Sequence, residues 1–182
     1  GTNTLKNTRS YTDAIYTSGG GCLTFEGSGS LNATGDYATI NAEGNLTVNG
    51  GTIVSTAQDY AMQSRRKDII INGGNVTASG RIGLRSNNGN VKISGGNVTA
   101  IGGSKAIGCS GLTVAEGLKI HASTTVDGEL GEYVAANNKT YKKIVIEPDA
   151  GNVLLGDVNG DGQINAVDSN LLKRIIAGVQ IN

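Results

Sequence analysis

Between Asn45 and Gly111 the sequence says nearly the same thing three times. It reads Leu46-Thr-Val-Asn-Gly50-Gly51-Thr-Ile53, then Ile69-Ile-Ile-Asn-Gly73-Gly74-Asn-Val76, then Val91-Lys-Ile-Ser-Gly95-Gly96-Asn-Val98. The glycine pairs recur after 23 and then 22 residues, a period that marks a solenoid. Weaker copies flank them at Leu23-Thr-Phe25-Glu-Gly27 and Leu112-Thr-Val114-Ala-Glu116-Gly117. Five turns are therefore visible.

Each turn alternates apolar and polar residues before its glycine, the period of a strand with one buried face. Stacking the turns predicts inward ladders of Leu23, Leu46, Ile69, Val91, Leu112 and of Phe25, Val48, Ile71, Ile93, Val114. A third ladder holds Ile53, Val76 and Val98, with Ser55, Ala78 and Ala100 two residues on. A fourth is predicted through Ile15, Thr39, Met62, Leu84 and Ile107, each after a small residue. Three short strands per turn with glycine-rich corners define a mostly β fold, a right-handed parallel β-helix of about 22 to 23 residues per turn. An antiparallel sandwich of short strands gives no reason for like side chains to recur at a fixed period.

The 29 glycines and single proline suit a chain of 182 residues that turns corners often. A formal charge of zero gives no whole-molecule attraction to nucleic acid or membrane, and no apolar run is long enough to span a bilayer. Gly1 in place of methionine is expected of a processed or trimmed product. Cys22 and Cys109 fall on the first and fourth clear turns, roughly 14 Å apart along the axis at about 4.8 Å per rung. A disulfide needs Cα atoms within about 7 Å, so both thiols are expected to be free. Past Ser123 the period fades, and Tyr141 to Pro148 reads as a closing strand over the last rung. The expected organisation is a β-helix over 1–148, a linker over 149–156 and a separate module over 157–182.

That module is the second informative stretch. Asp157, Asn159, Asp161, Gly162, Gln163, Asn165 and Asp168 have the spacing of a twelve-residue EF-hand loop. Asp157, Asn159, Asp161, the Gln163 carbonyl and Asp168 are the expected ligands of one Ca2+ ion. Leu171, Leu172, Ile175, Ile176 and Val179 mark a helix after it, with Gly178 near its C-cap.

With Asp168 at loop position twelve and Leu172-Lys173-Arg174 in the helix, residues 157 to 177 resemble one repeat of a dockerin, the module by which cellulosomal proteins dock onto cohesins. The resemblance implies that Ala166, Val167, Lys173 and Arg174 face a cohesin once a second repeat completes the module. The solenoid, from about residue 10 to 123, is similar to β-helical carbohydrate-binding proteins of cellulolytic clostridia. That resemblance implies secretion to the extracellular space or cell surface, calcium within the helix, and affinity for acidic plant polysaccharide such as polygalacturonate, and for cellulose.

Apart from any family, the residues themselves point to an anionic ligand. Arg65, Arg66, Lys67, Arg81, Arg85, Lys92 and Lys105 lie within three successive turns, with Asp68 the only acid between Arg65 and Lys105. The resulting excess of six positive charges suits carboxylates, for which arginine offers a bidentate fork. The plain alternative is a solvated face whose charges keep strand edges from pairing. With no tryptophan and 4% aromatic residues, the platforms that usually hold crystalline cellulose are scarce. Asp36 and Asp59, if stacked on adjacent turns, would repel by roughly 1 to 3 kcal/mol and so form a weaker calcium site; if they point apart into water they need no ion.

A binding module is the leading reading. A polysaccharide lyase would draw on Asp36, Asp59, Arg81 and Arg85, but every turn is near minimum length and leaves no loops for a cleft. No acidic pair suited to a glycosidase stands out, and His121 is the only histidine. A structural reading remains beside these: lightly capped solenoid ends and the apolar stripe of the last helix predict head-to-tail self-association into extracellular filaments.

Overall fold

A computed structural model describes residues 1–149, Ser169 and Lys173. Gly1–Pro148 form one compact unit. Its strands, in chain order, are β1 (Thr2–Lys6), β2 (Ile15–Tyr16), β3 (Leu23–Phe25), β4 (Ser30–Thr34), β5 (Ala38–Ala42) and β6 (Leu46–Val48). There follow β7 (Thr52–Thr56), β8 (Tyr60–Ser64), β9 (Ile69–Ile71), β10 (Asn75–Ser86) and β11 (Val91–Ile93). The last are β12 (Asn97–Gly108), β13 (Leu112–Val114), β14 (Leu118–Ser123), β15 (Gly131–Glu132) and β16 (Lys143–Pro148), with one 3-10 turn at Ala135–Asn137. The architecture is a parallel β-solenoid of about five turns.

The first two ladders form as their spacing predicts. β3, β6, β9, β11 and β13 make one parallel sheet in which Leu23, Leu46, Ile69, Val91 and Leu112 are in register, as are Phe25, Val48, Ile71, Ile93 and Val114. Between these columns each strand turns one residue outward, which is why it reads apolar, polar, apolar. A second face stacks β1, β4, β7 and the first halves of β10 and β12, all parallel. There Leu31 joins Ile53, Val76 and Val98, and Ala33 joins Ser55, Ala78 and Ala100. The third face stacks β2, β5, β8 and the second halves of β10 and β12. The three faces enclose one core in which Ile40, Leu46, Met62, Ile69, Ile71, Leu84 and Ile107 are fully buried.

The fourth ladder differs from expectation in one rung. Ile40, not Thr39, pairs with Ile15 and Met62, and Leu84 and Ile107 follow. Thr39 takes the small-residue position before it, where its hydroxyl donates to the Thr56 carbonyl. Burying a hydroxyl costs little once it has such a partner, so a threonine can stand where other turns use alanine or glycine.

The closing strand at 141–148 is present as β16, which runs antiparallel between β12 and β14. Ile146 sits between Val98 and Ile120, and Ile144 between Ala100 and Ala122. β16 thus extends both apolar columns of the second face while reversing the strand direction. Tyr141 packs below it with its hydroxyl accepting the Val134 N–H at 3.0 Å. Cys22 and Cys109 are both free, the first exposed and the second half-buried; burial pushes the Cys109 thiol above its ordinary pKa.

Candidate functional site

The candidate site lies on the third face. One of its columns, next to the corner, runs Ala38, Tyr60, Ile82, Lys105, and a second, on the outer side, runs Asn41, Gln63, Arg85, Gly108. Ala38, Tyr60 and Ile82 pack into a small apolar cluster separate from the main core. Tyr60 is only 6% exposed because three side chains cover it. Tyr37 meets its ring edge-on with centroids 5.4 Å apart, while the guanidinium carbons of Arg81 and Arg85 lie 5.0 and 4.2 Å from its centroid. Cation–π contacts of this kind hold arginine without neutralising it.

The two arginines are not equivalent. Arg81 donates through Nε to Asp59 at 2.5 Å and through Nη2 to the Tyr60 hydroxyl, and the bond to Asp59 raises its pKa further. Arg85 donates to the Asn87 side-chain oxygen at 2.6 Å, which also accepts Gln63 Nε2 at 3.0 Å. Arg85 is thereby oriented by neutral groups and keeps its charge available. Beside it opens a groove of about 410 Å³, lined by Arg81, Ile82, Arg85, Asn87, Lys105 and Gly108 among others. A hollow of similar size, about 440 Å³, lies on the N-terminal turns. Its lining includes one cation and one carboxylate, Lys6 and Asp36, so it gathers no charge of one sign.

Acids from neighbouring turns reach the basic patch that the linear sequence left unpaired. Arg66 lies 4.0 Å from Glu43, Arg81 pairs with Asp59, and Lys92 with Asp68 at 2.7 Å. The Gly20 N–H and the Tyr16 hydroxyl, then Arg66 and Arg65, hold Glu43 below the usual carboxylate range. Asp68 is lowered chiefly by the Asn90 N–H and then by Lys92. Both acids therefore stay ionised to lower pH than an ordinary carboxylate. Arg65, Lys67, Arg85 and Lys105 have no carboxylate within 4.0 Å among the described residues. Arg85 and Lys105 line the groove; Arg65 sits at the adjoining corner, its carbonyl 3.5 Å from Asn88 Nδ2, with exposed Arg66 and Lys67 after it.

Asp36 and Asp59 do not stack, because the register sets Gln58 opposite Asp36. The Asp36 carboxylate accepts the Tyr11 N–H at 2.7 Å and Gln58 Nε2, and Asp59 is held by Arg81. No cluster of three or more His, Cys, Asp or Glu side chains is arranged for a metal among the described residues. Orphaned oxygens lie elsewhere on the same face. Asn41 donates to Asp13 Oδ2 at 2.7 Å, yet Asp13 Oδ1, Asn41 Oδ1 and Gln63 Oε1 are buried without a hydrogen-bond partner. The expected ligands Asp157, Asn159, Asp161, Gln163 and Asp168, with Ala166, Val167 and Arg174, lie outside the described residues; Lys173 is described and is exposed.

The sequence reading singled out Arg81, Arg85 and Lys105 but missed Tyr60, Asn87 and Gly108. A signal for the pairing was present: Glu43 and Asp59 stand one period before Arg66 and Arg81, where a solenoid places direct neighbours.

The chain belongs to a carbohydrate-binding family: the profile described as "Carbohydrate-binding domain-containing protein" matches residues 1–178. Comparison with curated proteins and with solved structures gives no significant match. No helix among the described residues is long and apolar enough to cross a membrane.

Proposed function

We propose that this protein is a secreted carbohydrate-binding module whose ligand is an acidic plant polysaccharide of the polygalacturonate type, held at the groove of Arg81, Arg85 and Lys105. The observation that carries the reading is the pair Arg85 and Lys105, two cations with no acidic partner lining a polar hollow on a rigid stack of strands. Family membership supports binding over catalysis. An arginine oriented by Asn87 and a tyrosine ring presents its fork already ordered, so less entropy is lost when a carboxylate arrives. Arg65, Arg66 and Lys67 extend the attraction along the neighbouring corner.

Affinity electrophoresis through polygalacturonate tests this. Each exposed charge-assisted bond contributes on the order of 1 kcal/mol, so Arg85→Glu with Lys105→Glu should weaken binding about tenfold or more and flatten its salt dependence. A fully methyl-esterified polymer should not retard the parent protein. Unchanged mobility of the double variant would remove the basis for the reading.

Calcium belongs to the same proposal. The loop at Asp157, Asn159, Asp161, Gln163 and Asp168 supplies the oxygen donors calcium prefers, and its dockerin-like pattern supports a role in cellulosome or cell-surface assembly. Within the solenoid, the engaged carboxylates of Asp36 and Asp59 fit an ion poorly, whereas the orphaned oxygens of Asp13, Asn41 and Gln63 fit the donor chemistry. In a calcium titration followed by calorimetry, Asp161→Ala should lose one ion of the parent's stoichiometry. Equal stoichiometry would reject the loop as a site.

A further inference from the structure

The second column, on the outer side, is interrupted. It carries Asn41, Gln63 and Arg85 on three successive turns and then Gly108, which has no side chain. Glycine is not required there by the backbone, since its φ lies outside the left-handed region in which seven other glycines sit. Nor is it required by crowding: a Cβ at Gly108 would lie 3.4 Å from Ile82 Cγ2, 3.5 Å from Lys105 Cδ and 3.6 Å from Ile82 Cδ1, ordinary contact distances. Those neighbours are themselves groove residues. A side chain at 108 would therefore grow into the hollow beside Arg85 and Lys105, not into the core. By contrast, a Cβ at Gly102, on the same strand, would fall 1.7 Å from the Lys105 carbonyl oxygen, so that glycine is structural.

We propose that Gly108 is the specificity-determining position of the groove: its missing side chain makes room for a sugar ring between Arg85 and Lys105, so the site reads a uronate ring and not merely a negative charge. This rests on the reading of the groove as an acidic-polysaccharide site. At about 410 Å³ the hollow is within the range of about 300 to 1,000 Å³ typical of small-ligand sites. Ile82 offers an apolar floor for the ring, and Arg85 and Lys105 meet the carboxylate. Filling the gap with the residue the column carries two turns earlier should abolish the ring's room while leaving every cation in place.

The test uses Gly108→Gln in the full chain, with polygalacturonate and poly-glutamate as probes, the second being a polyanion without rings. Gly108→Gln should weaken polygalacturonate binding roughly tenfold or more by occupying the groove, leave poly-glutamate binding within about twofold, and keep the parent's urea midpoint. Gly108→Ala, which adds only the Cβ, should bind both probes nearly as the parent does, and Gly108→Asn, one methylene shorter than glutamine, serves as the groove-filling variant if the glutamine form fails to fold. If Gly108→Gln or its substitute binds polygalacturonate as well as the parent while Arg85→Glu with Lys105→Glu does not, the ring-admitting role is overturned and the charge-based site stands. If Gly108→Gln loses both probes alike, the position merely blocks access to the cations and ring specificity is likewise overturned. If neither Gly108→Gln nor the charge-reversed variant changes binding, the groove itself is not the site.

Discussion

Gly74→Ala is expected to cost about 3 kcal/mol or more of unfolding free energy, one of the two largest effects foreseen for a single substitution here. Gly51, Gly74 and Gly96 repeat one corner on three turns, with φ of 79°, 85° and 82°. An alanine in this left-handed region costs roughly 1 to 2 kcal/mol from its own backbone. A Cβ at Gly74 would also stand 2.5 Å from the Gly51 carbonyl oxygen and 2.8 Å from the Gly50 carbonyl carbon. Those atoms are backbone of the preceding turn and cannot swing aside as a flexible side chain would. The strain would force two rungs apart at the corner where they touch most closely. Urea denaturation gives the measurement, with Gly103→Ala as its control. Gly103 has nothing within 4 Å of its ideal Cβ and no positive φ, so alanine there should shift stability by less than about 0.5 kcal/mol. Similar midpoints for the two variants would show that the corner tolerates what its geometry forbids.

Ile144→Asp should be as damaging for a different reason. Ile144 is fully buried and paired on both sides, with Ala100 of β12 and Ala122 of β14. Truncating such a side chain costs about 2 to 5 kcal/mol, and an unpaired carboxylate in its place adds a desolvation penalty. Since β16 is what joins β14 to β12, loosening it uncovers the edge of β12 along with the last rung of the core. An exposed flat edge invites pairing with another chain. The variant should therefore show a lower urea midpoint together with concentration-dependent light scattering. Val145→Asp is the comparison: Val145 points the other way and is half-buried, and its substitution should affect scattering little. Equal behaviour of the two would mean that β16 is not what seals this end.

Strand columns were legible in the sequence because the inward residues of each turn must meet their counterparts through side chains of similar size. The glycine-pair corner was legible too, but the two corners flanking the third face were not, because they absorb the variation in turn length. From Leu46 to Ile69 the step is 23 residues and from Ile69 to Val91 it is 22, yet the side-chain ladders stay in register through both. Asp36 and Asp59 were paired on an assumed step of 23, whereas β5 and β8 are related by 22; one residue of error replaces a carboxylate neighbour with Gln58. Thr39 was misplaced for a related reason. A column known by its small residues cannot reveal a threonine whose hydroxyl is satisfied by a carbonyl in the next turn. The basic patch was legible as a list of cations but not as a balance of charge, since Glu43 and Asp59 enter it from a full turn away. Gly108 could not be singled out as a groove residue because a glycine-rich chain hides it among many corner glycines.

The reversed strand at the C-terminal end also separates the order of synthesis from the order of assembly. Each parallel turn can dock on the one before it as soon as it is made, and solenoids accordingly propagate by nearest-neighbour contacts. β14 has no such option, since every residue it pairs with in β16 comes later in the chain. Some twenty residues, including the 3-10 turn at Ala135–Asn137, must therefore be looped out before Ile144 and Ile146 slip between the two strands. Closing a loop carries an entropic cost before its contacts repay it. Folding of Gly1–Pro148 is thus expected to end with one non-local step, a clasp that shuts from the far side after the body of the coil has already wound.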